Sequence, residues 1–553
     1  MPKVRSRLIV GLLALTLAPF IPNSNTNAQR SAIDTYAITN ARIVTVSGPV
    51  IERGTVVIRN GLIAAAGANV NAPPDARVID GNGLTVYPGL IDAYTDLALP
   101  EASPAPSPGG GGGFFAAPPP RPVGGPNSTQ PVGLQPEVMV EDVIRPGGNE
   151  IESARNIGIT TALTSPRTGI WMGQSALINL SGDTPQAMIV RSPVAMHVGF
   201  TPLRGTYPGS LMGVFATLRQ MMLDAQRYRD SMQIYERNPR GIRRPDTDRS
   251  LAALVPVIEG RMPVVMLVNS EREITRALDL ASEFKLRLIV AGGRESDRVA
   301  ERLAKQNVPV LLSLNLPRRT TAALPEADPE PLRVLRERVE AQQTAGKLAK
   351  AGVRFAFQSG SLTDMSELMV NARRVIENGL PAADAVRAFT IWPAQILGVE
   401  SQLGSIEAGK IANLTVTRGD LFDRNSRVAH VFIDGRPVDL RPAAGGPSRS
   451  SLSGTWIVNV NLGQGDKAIT LNLQQEGDRL AGAISGPLGA GEISNASATG
   501  GGEVRFTVVL NVEGQTKEAS FAGRLANNEI RGSVTIVGAA PGTFTATRSG
   551  QPN

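Results

Sequence analysis

The sequence predicts an α/β protein with a (β/α)8 barrel of the TIM type, a composite small β-domain from both barrel flanks, and a C-terminal antiparallel β-sandwich or barrel. Three observations predict it. The chain has 553 residues, too many for one ordinary domain. Its middle alternates apolar runs with amphipathic helical patterns, which favours a parallel sheet. Short alternating runs with glycine turns occupy both flanks and the tail.

Residues 1–28 have the pattern of a secretory signal. Lys3, Arg5 and Arg7 precede an apolar run over 8–20, which is shorter than the ~20 residues of a membrane-spanning helix. We therefore expect an exported protein, periplasmic or extracellular, with no transmembrane segment. The absence of cysteine suits an oxidising compartment. Aromatic residues make up only 4% and do not interleave with basic runs, which argues against a nucleic-acid partner.

The composite β-domain is predicted from residues 36–87 and 399–440. Short alternating runs fill the first stretch, and Asn60-Gly61 between two of them is a signal for a type I′ hairpin. Two similar runs, NLTVTRG and HVFIDGRPV, return in the second stretch. Two half-modules that flank a long middle are best explained as one domain.

The barrel is predicted over residues 88–398, with repeated strand-then-helix units clearest in its second half. Strands are expected at VVMLV, LRLIV, VPVLL and VRFAF, with helical patterns after each. The alternative is a doubly wound open sheet, but no Gly-x-Gly-x-x-Gly turn follows these strands. Residues 101–136 are rich in glycine and proline and are expected to be a flexible insertion.

The tail is predicted to be a separate β-domain over residues 454–548, joined by a linker at 441–453. About seven short alternating runs with glycine turns are typical of an antiparallel sandwich or barrel.

Three stretches carry a family resemblance: VYPGLIDA (Val86–Ala93), NIGITTAL (Asn156–Leu163) and AFTIWPAQILGVESQLGSIEAGKIANLTV (Ala388–Val416). In this order they resemble the amidohydrolase superfamily, specifically its imidazolonepropionase-like and Xaa-Pro-dipeptidase-like branch. The resemblance extends over about three quarters of the chain. It implies an ancestral hydrolase of amide, cyclic amide or dipeptide C–N bonds.

The resemblance also implies a catalytic metal site. Family members hold zinc or another divalent metal with a His-x-His pair after strand one, a bridging carboxylate or carbamylated lysine, histidines after strands five and six, and an aspartate after strand eight. The metal lowers the pKa of a bound water. In this chain those positions are occupied by Tyr94, Asp96, Asn269 (or Leu267), Gly292 and Gly360, and no lysine matches the bridging position. Asp92, ahead of the pair, is expected to orient backbone.

The predicted strand ends support the same interpretation without the family. Barrel enzymes carry their chemistry at the C-terminal ends of the strands, and here those ends offer amides, hydroxyls and glycines. Asp96 is the one carboxylate at a predicted ligand position, whereas a catalytic zinc normally has three protein ligands. We therefore expect no metal and no other cofactor. The candidate binding residues are Tyr94, Asp96, Asn269, Gln358 and Ser359.

No catalytic residue can be assigned, and the candidates are Asp96, His197 and Asn269. His197 lies in an apolar stretch and is expected to be a packed histidine, with a polar contact in the ligand pocket as the alternative. The only other histidine, His430, alternates with apolar neighbours on a predicted surface strand. Ser175 and Ser359 offer hydroxyls, but neither lies in a Gly-x-Ser-x-Gly turn.

Three hypotheses follow. In the first, the protein is catalytically impaired or non-catalytic, and it binds a small peptide-like or cyclic amide ligand or partners an active homologue. In the second, it is an active hydrolase with a rebuilt or metal-independent site, or a site shared across a homo-oligomer. In the third, the C-terminal β-domain binds surface material and the barrel is a platform.

Overall fold

The computed structural model describes residues 35–100, 130–203, 207–317, 331–360, 362, 364–440, 452–461 and 466–549, the last with short gaps at 477–478, 488, 499–502, 513–514, 527–528 and 537–541. The predicted signal, most of the predicted insertion and most of the linker at 441–453 lie outside these residues. Within the described ranges, no helix combines the length and apolar character needed to cross a membrane.

The elements follow one another in the order expected for a barrel between two β flanks. The first flank forms β1 (Thr35–Ile43), β2 (Ile51–Arg59), β3 (Leu62–Gly67), β4 (Arg77–Asp80) and β5 (Leu84–Pro88). The first half of the barrel forms β6 (Leu90–Thr95), α1 (Asn149–Asn156), β7 (Ile159–Thr164), β8 (Trp171–Gln174), β9 (Ala176–Asn179), α2 (Pro185–Met188), β10 (Ile189–Arg191), β11 (Met196–Gly199), α3 (Leu211–Arg237) and α4 (Arg249–Ile258). Its second half forms β12 (Val264–Val268), α5 (Glu271–Phe284), β13 (Leu288–Gly292), α6 (Ala300–Lys305), β14 (Val310–Ser313), α7 (Leu332–Lys350), β15 (Phe355–Gln358), α8 (Ser366–Glu377), α9 (Ala382–Phe389) and α10 (Ile391–Ile396).

The chain then returns to the flank and enters the tail. The returning strands are β16 (Leu414–Arg418), β17 (Arg427–Ile433) and β18 (Arg436–Val438). The tail strands are β19 (Gly454–Asn461), β20 (Asp466–Glu476), β21 (Arg479–Gly486), β22 (Gly489–Ala498), β23 (Glu503–Val512), β24 (Gln515–Ala526), β25 (Glu529–Ile536) and β26 (Gly542–Arg548). Two short 3-10 helices lie at Val140–Asp142 and Ser296–Val299.

Strands from the two flanks form one eight-stranded sheet. Its order is β18-β17-β16-β5-β1-β2-β3, with β4 beside β1. β16 pairs antiparallel with β5, so that Val416 lies opposite Val86. The predicted hairpin at Asn60-Gly61 is confirmed: both residues have positive φ, 51° and 80°, and they join β2 to β3.

The barrel strands form a ring of eight positions. β6 and β7 run parallel, and β11 to β15 form a continuous parallel set. The segment of β8 and β9 lies between them, β9 antiparallel to β7 and β8 antiparallel to β11. The last and first strands meet where the Gly360 N–H donates to the Tyr94 carbonyl oxygen at 3.3 Å.

The described ring departs from the expected (β/α)8 pattern at its third position, which is antiparallel rather than parallel. Only the short loop 165–170 separates β7 from β8. A parallel return needs a crossover of a dozen or more residues, so a short connection reverses the strand. The predicted strand-and-helix alternation of the second half is confirmed from β12 to α8.

The helix α5 shows how local sequence positions the barrel elements. Ser270 Oγ accepts the Glu273 N–H at 3.4 Å, and the Glu273 carboxylate accepts the Ser270 N–H at 3.0 Å. This capping box begins the helix directly after β12, and Lys285 ends it in a left-handed conformation. The long helix α3 was not predicted. Its buried residues end at Ala225, so its second half lacks the apolar periodicity that marks a packed helix.

The tail forms a closed antiparallel barrel of eight strands in chain order, with β19 paired to β26. Its own core contains Trp456 and three phenylalanines in contact, Phe506, Phe521 and Phe544. Arg548 lies 5.3 Å from the centre of the Trp456 ring. The sequence was compatible with either a sandwich or a barrel, and in the structure the tail forms a barrel.

Candidate functional site

The candidate site lies inside the C-terminal end of the barrel ring, where β6 meets β15. The Asp92 Oδ1 atom accepts the Ser359 N–H at 2.9 Å and the Tyr94 N–H at 3.4 Å. The Ser359 and Thr95 hydroxyls lie 3.3 Å apart. Asp92 therefore orients backbone on both strands, as the sequence predicted. Ser359 is 267 positions from Asp92 in sequence, yet the two strands bring it to the same junction as Tyr94 and Asp96.

Asp92 is fully buried and carries a perturbed carboxyl group. Burial raises the pKa of Asp92 to about 6, against the lowering effects of its hydrogen bonds from Ser359 and Tyr94 and of the Arg167 charge. This carboxyl titrates about two pH units above an ordinary aspartate.

Tyr94 and His197 fill the interior of the ring. Their ring centres lie 5.4 Å apart, and their exposed fractions are 2% and 1%. Burial lowers the pKa of His197 to about 3, so the imidazole is neutral at ordinary pH. Burial also raises the pKa of Tyr94. Neither ring nitrogen of His197 has a hydrogen-bond partner among the described residues.

Arg167, in the loop after β7, is a site residue that the sequence analysis missed. Its Nη2 atom lies 3.0 Å from Asp96 Oδ1 and also donates to the Gly360 carbonyl oxygen. The signal available in the sequence was a charged residue directly after the predicted second strand, in TSPRTG. The role of Arg167 depends on Asp96 and Gly360, which come close to it only when the barrel strands are assembled.

The remaining predicted ligand positions are occupied by glycines whose neighbours fill the space. Gly292 has a φ of +88°, and a Cβ atom there would lie 2.6 Å from Asn269 Oδ1. Gly360 has a φ of +50°, and a Cβ atom there would lie 2.5 Å from Gln358 Oε1. Asn269 is exposed at the rim, whereas Gln358 is buried. Neither position accepts a side chain without movement of its neighbour.

The donor set does not fit a divalent metal. Across the described ranges, no three His, Cys, Asp or Glu side chains lie close enough together to hold one. The single histidine here packs against Tyr94, and Asp96 is paired with Arg167. A catalytic zinc site normally has three protein ligands and an open position. The residues present therefore provide hydrogen bonds and one fixed positive charge.

A cavity of about 820 Å³ opens at the opposite end of the barrel, around the starts of β13 and β15. Arg287, Arg354 and Trp392 are among its lining residues. We place the functional site at the C-terminal end instead, because barrel enzymes carry their chemistry there and because the unpartnered buried polar atoms of the ring are concentrated there.

The fold and the site define a class: a TIM-like barrel with a β-domain built from both of its flanks, and with its candidate site at the C-terminal strand ends. A family model described as the amidohydrolase family matches residues 274–438. Among solved structures, an amidohydrolase from Thermotoga maritima MSB8 superposes with a TM-score of 0.61 and 25% identity, covering 73% of this chain and 100% of that one. The chain belongs to the amidohydrolase superfamily.

Several curated proteins match short stretches of the chain. An N-acetylglucosamine-6-phosphate deacetylase from Haemophilus influenzae is 36% identical over 78 residues, 14% of this chain and 19% of that protein. An imidazolonepropionase from Idiomarina loihiensis is 51% identical over 49 residues, 8% of this chain and 12% of that protein. The matched stretches span less than a fifth of these relatives' length.

Proposed function

We propose that this protein is an exported amidohydrolase-fold protein that binds a small peptide-like or cyclic amide ligand at the barrel mouth and performs no metal-dependent hydrolysis there. The observation that carries the proposal is a group of buried polar atoms without partners inside the mouth. These atoms include Arg167 Nε, both ring nitrogens of His197 and Gln358 Oε1.

These atoms offer both kinds of hydrogen-bonding group. A neutral imidazole donates from one nitrogen and accepts at the other, Arg167 Nε donates, and Gln358 Oε1 accepts. Buried polar groups in proteins are almost always satisfied, so several unpartnered ones at one end of the barrel point to a ligand or an ordered water. An amide group, with its carbonyl and N–H, complements such a set.

The second support is that two of the predicted ligand positions, Gly292 and Gly360, hold glycines in left-handed conformations. Asn269 and Gln358 occupy the space that side chains at Gly292 and Gly360 would need. Asp96 is half exposed at the rim and is neutralised by Arg167. A carboxylate held in this way is a poor general base, which disfavours the rebuilt-hydrolase alternative.

Calorimetric titration of the full-length protein with Xaa-Pro dipeptides and with cyclic amides tests ligand binding. We expect binding that the His197→Phe variant weakens at least tenfold, because phenylalanine keeps the ring contact with Tyr94 but removes both nitrogens. The matched control is His430→Phe, which changes the other histidine on β17 and should leave binding unchanged. Equal affinity in wild type and His197→Phe would contradict the assignment of His197.

The second part of the proposal is that no metal-dependent hydrolysis takes place. Hydrolysis of the same compounds, measured with added zinc and with a chelator, tests it. We expect no turnover that depends on metal and no stoichiometric metal in the purified protein. Chelator-sensitive turnover with one bound metal per chain would overturn the proposal. Co-purification from the periplasmic fraction tests export and an active homologous partner together.

A further inference from the structure

The positive charge at the barrel mouth comes from the protein itself. Arg167 is the group that contacts both ring-closing strands, through Asp96 beyond β6 and through Gly360 beyond β15. The two partners lie far apart in sequence from each other and on opposite sides of the closure. We propose that the Arg167 guanidinium is a built-in cation that takes the place of a divalent metal in holding the mouth together.

The charge balance of the mouth supports this role. Asp92 lies within β6 and Asp96 directly follows it, and Arg167 is the cation paired with Asp96. The Arg167 charge reaches beyond its direct partner, since it lowers the pKa of Asp92 and of Tyr94 against the larger effect of burial. One guanidinium therefore acts on every ionisable group of the β6 end.

The chemistry of arginine suits the task. Guanidinium stays charged at all ordinary pH values and donates in a rigid planar fork, so one side chain can bind a carboxylate and a carbonyl at fixed geometry. A divalent metal ion would also provide positive charge but needs several ligands, which the described mouth does not offer. The inference rests on the metal-independent half of the proposed function and makes no assumption about the ligand.

The experiment measures the thermal unfolding midpoint of full-length variants. Arg167→Met removes the charge and keeps the length of the side chain, and Arg167→Lys keeps the charge. A matched control is available in Arg302→Met, because Arg302 pairs with Asp279 at 2.6 Å with side-chain exposures of 33% and 60%, close to the 26% and 49% of Arg167 and Asp96. We expect Arg167→Met to lower the midpoint well beyond the control and Arg167→Lys to restore more than half of the loss.

Asp96→Asn provides a second measure that holds even if Arg167→Met does not fold. It should lower the midpoint less than Arg167→Met, since Arg167 keeps its bond to the Gly360 carbonyl. The double variant should be no less stable than Arg167→Met alone. Arg167→Lys as unstable as Arg167→Met, or Arg167→Met no worse than the control, would overturn the inference.

A chelator separates the two proposals. A fall in the wild-type midpoint on adding chelator would overturn the metal-independent half of the proposed function. The comparison of Arg167→Met with Arg167→Lys decides the role of the charge, whatever ligand the mouth binds.

Discussion

His197 should make the stability of this protein depend on pH in a way that one substitution removes. The imidazole is buried with an exposed fraction of 1%, and burial lowers its pKa from 6.5 to about 3. In the unfolded chain the same group titrates near its ordinary value. Between these two pKa values, His197 binds a proton in the unfolded state but not in the folded state.

The sign and size follow from linkage. The stability contributed by the neutral, buried imidazole is fully present above pH 6.5 and is lost as the pH falls towards 3. Each pH unit between the two pKa values lowers the free energy of unfolding by about 1.4 kcal/mol. Over the whole interval the loss amounts to roughly 4 to 5 kcal/mol. His197→Phe removes this loss and also removes two buried nitrogens that lack protein partners. At neutral pH the variant should be at least as stable as wild type.

Asp92 changes the stability with pH in the opposite direction, so its effect must be separated from that of His197. Burial raises its pKa from 3.8 to about 6, so the folded state holds a proton that the unfolded state has released. Stability from Asp92 is therefore present below pH 3.8 and is lost as the pH rises towards 6, by about 3 kcal/mol. In wild type the two effects largely cancel between pH 4 and 6, and each single variant exposes the other.

The assay is denaturant unfolding of wild type and His197→Phe from pH 4 to 7.5, followed by circular dichroism. The difference between the two proteins isolates His197, because all other groups titrate in both. We expect the variant to gain relative stability as the pH falls below 6.5. His430→Phe is the control: burial lowers the pKa of His430 as well, but this side chain is only half-buried and should give a smaller slope. A difference that stays flat with pH would refute the reasoning.

Three further predictions can be checked by the same unfolding measurements. Asp92→Asn keeps an oxygen to accept the backbone N–H groups and should abolish the loss of stability between pH 3.8 and 6; an unchanged pH profile would contradict the raised pKa. Ser270→Ala removes the capping hydroxyl of α5 and should cost about 1 kcal/mol, with no dependence on pH. Gly360→Ala should cost about 1–3 kcal/mol because its Cβ would overlap the Gln358 oxygen at positive φ. The control Gly352→Ala shares the positive φ but meets nothing within 4 Å, so a loss as large as that of Gly360→Ala would show that backbone strain alone explains it.

Much of the fold followed from local patterns. The apolar runs of β12 to β15 and the helices after them were predicted with bounds within a few residues, because a strand and a packed helix each repeat at a fixed period. The Asn60-Gly61 turn was predicted from residue type alone. The antiparallel third position was not predicted, because the direction of a strand depends on the length of its connection and on which neighbours it pairs with.

The candidate site was also predicted only in part from the sequence. The family resemblance placed Tyr94 and Asp96 at the mouth, and the apolar run that precedes Gln358 and Ser359 placed those two there. In the structure these four residues lie at the ends of β6 and β15. His197 was expected to be either a packed core histidine or a pocket residue, and it is packed against Tyr94 inside the mouth. Asn269 and Gly292 lie beside each other on neighbouring strand ends, and no described contact joins them to the β6–β15 junction.

By itself the sequence determined the chemical character of the strand ends, since it holds two histidines and no cysteine and so has few side chains suited to bind a metal. Only the tertiary structure decided which groups meet at those strand ends. Arg167 meets Gly360, which is 193 positions away, because the ring closes there, and no local pattern encodes that meeting. The neutral state of His197 and the raised pKa of Asp92 were decided there as well, because both depend on how completely the closed barrel excludes water from a side chain.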